Sequence, residues 1–270
     1  YLYILWFLGK SFTTLFPQLS IFSLGFEYYL KFFTNIFDIG TGILIYKIIS
    51  RHQKQLAFIA AGFYLANPAL IFNSSVMGQV DGILTFFLIL SAYYLIELRQ
   101  LYRWSATTSF ALLTKPQGLI ILPVMLVYLL KTKFTPSWMS KFYGLILLPI
   151  IIIIISLPFF LKDPVLGIFH LFQKSSNIYP YTGMFTYNIW SFIGWWVNDS
   201  TQFLGVTFQQ IGIILFIISL LLITVPLLNK AYFKYNFSIY FAMSLSIMSF
   251  FMFLTRMHER YLFPFFAVFV

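Results

Sequence analysis

Long apolar stretches alternate with short polar segments along most of the chain. A helix that crosses the hydrocarbon core of a membrane needs about 20 mostly apolar residues. By this measure the pattern predicts a series of spanning helices, and we place them near residues 28–49, 56–73, 82–97, 142–161, 203–228 and 237–255, with another beginning at 261. The expected fold class is therefore an all-α, polytopic transmembrane helical bundle.

Three regions depart from this pattern. Between residues 105 and 130, Pro116 interrupts two short apolar segments, which predicts two short helices that meet inside the protein. Residues 1–25 mix aromatic with polar residues, as is typical of a helix that lies in the membrane interface. Residues 162 to about 202 are too polar to span and predict a long loop.

The composition supports a membrane protein. The chain is 60% hydrophobic and 9% charged, and its mean hydropathy of +0.88 lies outside the range of soluble domains. It has no cysteine, which excludes disulfides, thiolate chemistry and metal sites built on cysteine. The net charge of +10 is explained by basic residues that flank membrane helices, so we expect membrane lipids and no nucleic acid as partners.

The basic residues are unevenly divided between the two sides that alternate loops define. One side carries ten of them: Lys47, Arg51, Lys54, Arg99, Arg103, Lys131, Lys133, Lys141, Lys230 and Lys234. The other side carries five: Lys115, Lys162, Lys174, Arg256 and Arg260, with Lys10 and Lys31 near it. The positive-inside rule places the first side in the cytoplasm. The unusual polar segments 74–82, 114–118, 162–202 and 255–260 then share the extracytoplasmic face.

The first candidate residues lie in the middle of an apolar region. Gln79 and Asp81 precede a predicted helix, where a carboxylate either anchors the helix N-terminus or faces a site. Lys115 and Gln117 flank Pro116; the lysine either reaches to water or supplies a charge to a phosphate or to Asp81, and the glutamine can bind a sugar hydroxyl.

The second group lies in the segment TRMHER. Arg256, His258, Glu259 and Arg260 concentrate charge between two apolar segments, and two guanidinium groups with a histidine form a candidate phosphate clamp. A solvated turn is the alternative. Glu259 would orient His258 or Arg256.

The long loop adds Asn188 and Trp190 as candidate sugar contacts within a run of aromatic residues typical of a membrane interface. Asp199 is interpreted as a solvated loop carboxylate. The isolated histidines His52 and His170 show no spacing of metal ligands, so no metal site is predicted.

Four segments in this order resemble the GT-C superfamily of membrane glycosyltransferases, particularly its bacterial mannosyltransferase-like members and more distantly the dolichyl-phosphate-glucose-dependent glucosyltransferases. They are FNSSVMGQVDG at 72–82, LLTKPQGLIILP at 112–123, FTYNIW at 185–190 and RMHERYLFP at 256–264. Where the distant eukaryotic relatives carry a glutamine two residues before an asparagine, this chain carries Gln79 and Asp81.

The resemblance implies an enzyme that transfers a hexose of the mannose or glucose type from a polyprenyl-phosphate donor to an acceptor on the extracytoplasmic face. It implies that Gln79, Asp81, Lys115, Gln117, Asn188, Trp190, Arg256, His258, Glu259 and Arg260 bind substrate. The donor is a substrate, and no cofactor is identified. We expect a multi-pass protein of a bacterial plasma membrane with its site facing outward.

The family carries its catalytic aspartate in the first extracytoplasmic loop. The sequence begins at Tyr1 and stops within an apolar run at Val270, so we expect a piece of a longer chain with that aspartate upstream. Residues 1–25 would then be the rest of that loop, and 26–270 the transmembrane domain. Asp38, well inside the first span, is expected to be structural or bound to a partner.

Two other functions compete with this interpretation. A secondary transporter or lipid flippase would use Asp81 and Glu259 as a coupling site, but we find no internal repeat, and the polar groups gather at one face. A noncatalytic membrane scaffold would use the polar loop to bind a partner.

Overall fold

The computed structural model describes residues 2–133, 137–163, 165–233 and 235–270, and most of these residues are helical. The α-helices, in chain order, are α1 Leu2–Leu15, α2 Leu24–Ser50, α3 Lys54–Leu65, α4 Pro68–Leu70, α5 Asp81–Ala92, α6 Leu101–Thr114, α7 Leu122–Lys131, α8 Ser137–Ser156, α9 Gly167–Ser176, α10 Phe208–Thr224, α11 Lys230–Phe233, α12 Asn236–Phe253 and α13 Phe263–Phe269. The all-α polytopic bundle is confirmed.

Shorter turns and strands connect these helices. The π-helical turns are Ile71–Val76 and Tyr93–Glu97, and the 3₁₀ turns are Pro116–Ile121, Leu157–Phe159, Ile189–Phe192, Pro226–Leu228 and Glu259–Leu262. The strands are β1 Gly183–Met184, β2 Gln202–Phe203, β3 Val206–Thr207 and β4 Met257–His258. β1 pairs in parallel with β4, and β2 pairs antiparallel with β3.

Within the described ranges, four helices are long and apolar enough to cross a membrane: Leu24–Ser50, Trp138–Phe159, Phe208–Leu228 and Asn236–Phe253. They correspond to four of the predicted spans. The helices Lys54–Leu65 and Pro68–Val76 meet the same criteria only when taken together, and the pair is bent by 42° at its break. The bend follows from Asn67, whose Oδ1 accepts from the amide of Ala69 and starts a new helix at Pro68.

The predicted span at 82–97 is a helix buried in the bundle and shorter than the four above. α5 and the π turn after it contain 12 and 5 residues, 17 in all, and α5 contacts α2, α6 and α13. Ile83 and Leu84 are completely buried. The helix is therefore a central element of the bundle, and its first residue, Asp81, lies inside the protein.

The predicted break at Pro116 is also present. α6 ends at Thr114, Lys115 is extended with φ −151° and ψ 141°, and the chain turns back through a 3₁₀ turn into α7. Steric conflict with the proline ring excludes helical geometry for the preceding residue, so the proline fixes the extended Lys115 backbone. This puts the Lys115 side chain next to the start of α5.

Candidate functional site

The centre of the candidate site is an ion pair between two segments that are distant in sequence. Lys115 Nζ donates to Asp81 Oδ1. The Asp81 side chain is 1% exposed and that of Lys115 is 20% exposed. The lysine therefore faces the outside of the bundle at this end, while the carboxylate anchors it from within.

A second carboxylate lies beside this pair. Asp38, in the middle of α2, is buried and interacts electrostatically with Asp81. α2 and α5 approach so closely here that a Cβ atom on Gly82 would collide with the Asp38 carboxylate. Of these two neighbouring carboxylates, only Asp81 has a cationic partner among the described residues.

Unused hydrogen-bonding capacity surrounds Asp38. Within the described residues, the buried atoms without a hydrogen bond include both oxygens of Asp38, the hydroxyls of Tyr64 and Ser74, Nδ2 of Asn73 and Oδ2 of Asp81. The two hydroxyls still interact favourably with the Asp38 carboxylate at longer range. Leaving a buried polar atom unsatisfied costs about 1–3 kcal/mol, so this interior is suited to additional polar partners.

The end of the segment MHER and Tyr261 lie near Lys115. The centre of the Tyr261 ring is 5.9 Å from Lys115 Nζ and 6.0 Å from Arg260 Cζ. The His258 ring is 5.1 Å from the Tyr261 ring and meets it edge to face. Residues from 81, 115 and 258–261 therefore form one cluster, as their shared membrane side predicted.

Arg260 keeps part of its guanidinium group free. Its Nε atom is buried and has no hydrogen-bond partner in the described parts of the chain, and its Nη1 lies 3.9 Å from Glu259 Oε1. Glu259 is 54% exposed and is 4.0 Å from His258 Nδ1. Arg260 thus keeps one buried, unpaired donor, and its charge and that of Lys115 both act on the neighbouring His258.

His258 is held in its neutral form. Burial lowers the pKa of His258, and the positive charge of Arg260 lowers it further, against a smaller opposing effect from Glu259. At neutral pH the cationic groups of the cluster are therefore Lys115 and Arg260, and the imidazole offers one donor and one acceptor.

Arg256 lies in a different environment. Its Nε donates to Asp199 Oδ2 at 2.7 Å, and its Nη1 donates to Asn177 Oδ1 at 2.7 Å. The interpretation of Asp199 as a solvated carboxylate is wrong, because its side chain is 1% exposed and also accepts from Thr255. Arg256 fastens the long loop to the end of α12, and its contact with a phosphate stays a prediction.

Asn188 and Trp190 have structural partners too. Asn188 Nδ2 donates to the carbonyl of Phe251 at 3.1 Å, and Trp190 Nε1 donates to the carbonyl of Phe253 at 2.8 Å. Both side chains are 3% exposed. They satisfy carbonyls at the C-terminal end of α12 that have no partner within the helix, and sugar binding by either residue stays a prediction.

The last two candidate residues, Gln79 and Gln117, have side-chain amides that are not engaged. Both are partly buried, and neither side-chain amide makes a hydrogen bond in the described ranges. The backbone amide of Gln79 donates to the carbonyl of Asn73 and closes the turn before α5. Both amides remain available for a ligand.

Sequence reasoning did not identify the polar surroundings of Asp38. Asn73 and Ser74 were visible as polar residues in an apolar stretch, but Asp38 and Tyr64 each stand alone in a predicted span, and only the packing of the helices brings them together. Across the described residues, no group of three or more His, Cys, Asp or Glu side chains is placed to hold a metal ion.

One comparison with known proteins gives a match. The profile of a family described as dolichyl-phosphate-mannose-protein mannosyltransferase matches residues 10–160, which is more than half of the chain. No curated protein and no solved structure matches it significantly. The matched region includes the Asp81–Lys115 pair and Asp38, while the MHER segment lies outside it.

Proposed function

The chain belongs to the dolichyl-phosphate-mannose-protein mannosyltransferase family, and on this premise we propose that it transfers a hexose of the mannose type from a polyprenyl-phosphate donor to an acceptor on the extracytoplasmic side. Family membership and the apolar helices make it an integral, multi-pass membrane glycosyltransferase. The donor, the acceptor class and the direction in which the site faces are parts of the proposal.

One observation carries the assignment of the donor site. Lys115 and Arg260 approach the Tyr261 ring from their own segments, and Arg260 Nε has no acceptor among the described residues. In a glycosyl transfer from a lipid phosphate, negative charge grows on the phosphate as the bond to the anomeric carbon breaks. Fixed cations in a place with little water stabilise that charge most strongly.

The other residues of the cluster hold these cations in position. Asp81 fixes the Lys115 ammonium from the buried side, so that its remaining two donors point toward the ligand. Glu259 lies near both Arg260 and His258 and orients them. Gln79 and Gln117 are assigned to the sugar hydroxyls, because an amide both donates and accepts.

This division of roles leaves the general base for the acceptor hydroxyl unassigned among the described residues. Asp81 is already paired, and Asp38 is buried within the bundle. The expectation that the family's aspartate supplies this function from the first extracytoplasmic loop stands as part of the proposal.

The proposal is tested by transfer of labelled sugar in membranes that contain the full-length protein. Synthetic polyprenyl-phosphate mannose, polyprenyl-phosphate glucose and GDP-mannose are supplied separately, and incorporation into lipid, glycan and protein fractions is measured. We expect incorporation from polyprenyl-phosphate mannose. Incorporation from the nucleotide sugar alone, or movement of intact donor across proteoliposomes without cleavage, would show that the proposed reaction is wrong.

A further inference from the structure

A cavity of about 340 Å³ lies at the end of the bundle opposite the Asp81–Lys115 pair. Its lining includes Arg99, Tyr128, Lys131, Thr132, Lys133 and Asn236. α12 runs from Asn236 beside this cavity to the segment before MHER, and its 18 residues give a separation of about 27 Å. The cavity is therefore distinct from the candidate donor site.

The lining of this cavity is strongly basic. Arg99, Lys131 and Lys133 contribute three positive charges, and no carboxylate is among the described residues that line the cavity. Lys131 also donates to the carbonyl of Leu228. The carboxylate of Glu97 lies nearby, where it accepts from Asn236 and Tyr240. The three cations outnumber this carboxylate, so the cavity offers a ligand a net positive field.

A buried hydroxyl is also available there. Thr132 is 6% exposed, and its Oγ1 has no hydrogen-bond partner among the described residues. The neighbouring Tyr128 hydroxyl donates its proton to the carbonyl of Ile96 at 3.2 Å, and the side chains of Thr132 and Arg99 both lie close enough to interact with it. Because a buried, unsatisfied hydroxyl is unfavourable, Thr132 would gain from a closer acceptor in the cavity.

Arg99 ends the α5 segment. Its φ of +54° is the left-handed conformation in which helices commonly terminate, and it follows the C-cap Leu98. Its side chain has a charged, planar group suited to bind two oxygens at once.

From these observations we propose that the cavity binds a phosphate group, carried by the headgroup of an anionic membrane lipid. Three cations and a hydroxyl donor match the oxygens of a phosphate. Leu130 and Phe237, the sequence neighbours of Lys131 and Asn236, are apolar and 72% and 75% exposed. This arrangement gives the acyl chains a surface next to the headgroup, as in other basic pockets between membrane helices. The site is independent of the proposed sugar transfer.

The experiment measures lipid retention by native mass spectrometry on the purified full-length protein. Phosphatidylglycerol and phosphatidylcholine are titrated separately, and glycerol 3-phosphate is titrated in detergent without lipid. The double variant Arg99→Gln/Lys133→Gln removes two charges. Arg103→Gln is the matched control, because Arg103 is an exposed arginine at the same end that does not line the cavity and stacks on Tyr94.

We expect selective retention of phosphatidylglycerol by the wild type. The double variant loses two charges and should bind phosphatidylglycerol about 30-fold more weakly, at roughly 5-fold for each basic residue near a membrane surface. Arg103→Gln should retain this lipid as the wild type does. Thr132→Val keeps shape and charge and should weaken retention about ten-fold through loss of a hydrogen bond to a charged group. If the double variant does not fold, Thr132→Val alone tests the proposal.

Three results would overturn the inference. Equal retention of the two lipids would exclude selective recognition of the anionic headgroup. An equal loss of lipid retention in Arg103→Gln and in the double variant would show that the effect comes from general surface charge. Binding of glycerol 3-phosphate without lipid, as tight as that of phosphatidylglycerol, would assign the site to a soluble phosphate instead.

Discussion

At the scale of single residues, the Asp81–Lys115 pair contributes both to the stability of the protein and to the proposed donor site. A buried carboxylate that loses its partner is left as an uncompensated charge, whereas removal of both partners leaves none. Asp81 is 1% exposed and shares its surroundings with Asp38, so the lysine is required by the protein as well as by the proposed donor.

Substitution of Lys115 should therefore destabilise the protein strongly. We expect Lys115→Met to lower the free energy of unfolding by about 3 kcal/mol, and we expect Asp81→Asn/Lys115→Met to restore part of the loss. Thermal unfolding in detergent measures both effects, and Lys162→Met serves as a control at an exposed lysine. A loss in Lys115→Met no larger than in the control would contradict the buried pair.

His258 gives a prediction for pH. Burial and Arg260 lower the pKa of His258 in the folded protein. As the pH falls, the imidazole is therefore protonated in the unfolded chain at a higher pH than in the folded protein. The stability contributed by the neutral imidazole is present above its ordinary pKa of about 6.5 and is lost below it.

The wild type should therefore lose more thermal stability than His258→Gln when the pH is lowered from 7 to 5. Melting curves of both proteins at a series of pH values measure the difference. Parallel curves would mean that His258 titrates as it does in the unfolded chain.

At the scale of elements, the close approach of α2 and α5 creates the polar interior. Gly82 allows it, because any larger residue would meet the Asp38 carboxylate. Sequence reasoning could place both helices and the break at Pro116, since apolar length and proline chemistry act locally. It could not find the contact between Asp38 and α5, because that contact depends on the rotation of two helices about their own axes.

Two glycine substitutions test this contact. Gly82→Ala should destabilise the protein and disturb the Asp81–Lys115 pair. Gly62→Ala, in α3, places its new methyl group in open space with no atom within 4 Å and should leave stability unchanged or slightly raised. Melting temperatures of the two variants provide the comparison, and equal effects would show that α2 and α5 are less closely packed.

The long loop also contains a contact that depends on tertiary packing. Its polar composition predicted a loop, but single-residue reasoning left Asp199 in solvent. In the fold Asp199 is bound by Arg256 and Thr255, and β1 pairs with β4, which contains His258. A charged pair separated by 57 positions has no signature in local sequence.

At the scale of the whole molecule, the distribution of basic residues predicts which end faces the cytoplasm. The donor cluster and the basic cavity lie at opposite ends of the bundle. If the rule holds, the transfer site faces outward, and the cavity meets the inner leaflet, where anionic lipids are concentrated.

The orientation can be measured with single cysteines, because these 270 residues contain none. Ser200→Cys and Gln55→Cys each introduce one thiol at an exposed position, at the two ends respectively. In intact cells, a maleimide that cannot cross membranes should label the Ser200→Cys protein, and it should label the Gln55→Cys protein only after lysis. The reverse pattern would place the donor cluster in the cytoplasm.

The central claim is that Arg260 and Lys115 stabilise the phosphate of a lipid-linked sugar donor. The most direct test is kcat/KM for transfer from polyprenyl-phosphate mannose by the full-length protein, compared between wild type, Arg260→Gln and the distant control Arg103→Gln. We predict that kcat/KM falls at least about 100-fold in Arg260→Gln, the magnitude that removal of one preorganised charge stabiliser produces. The thermal stability of Arg260→Gln should be unchanged, and the control Arg103→Gln should react at the wild-type rate. Turnover at the wild-type rate by Arg260→Gln would contradict the assignment of this cluster to the donor phosphate.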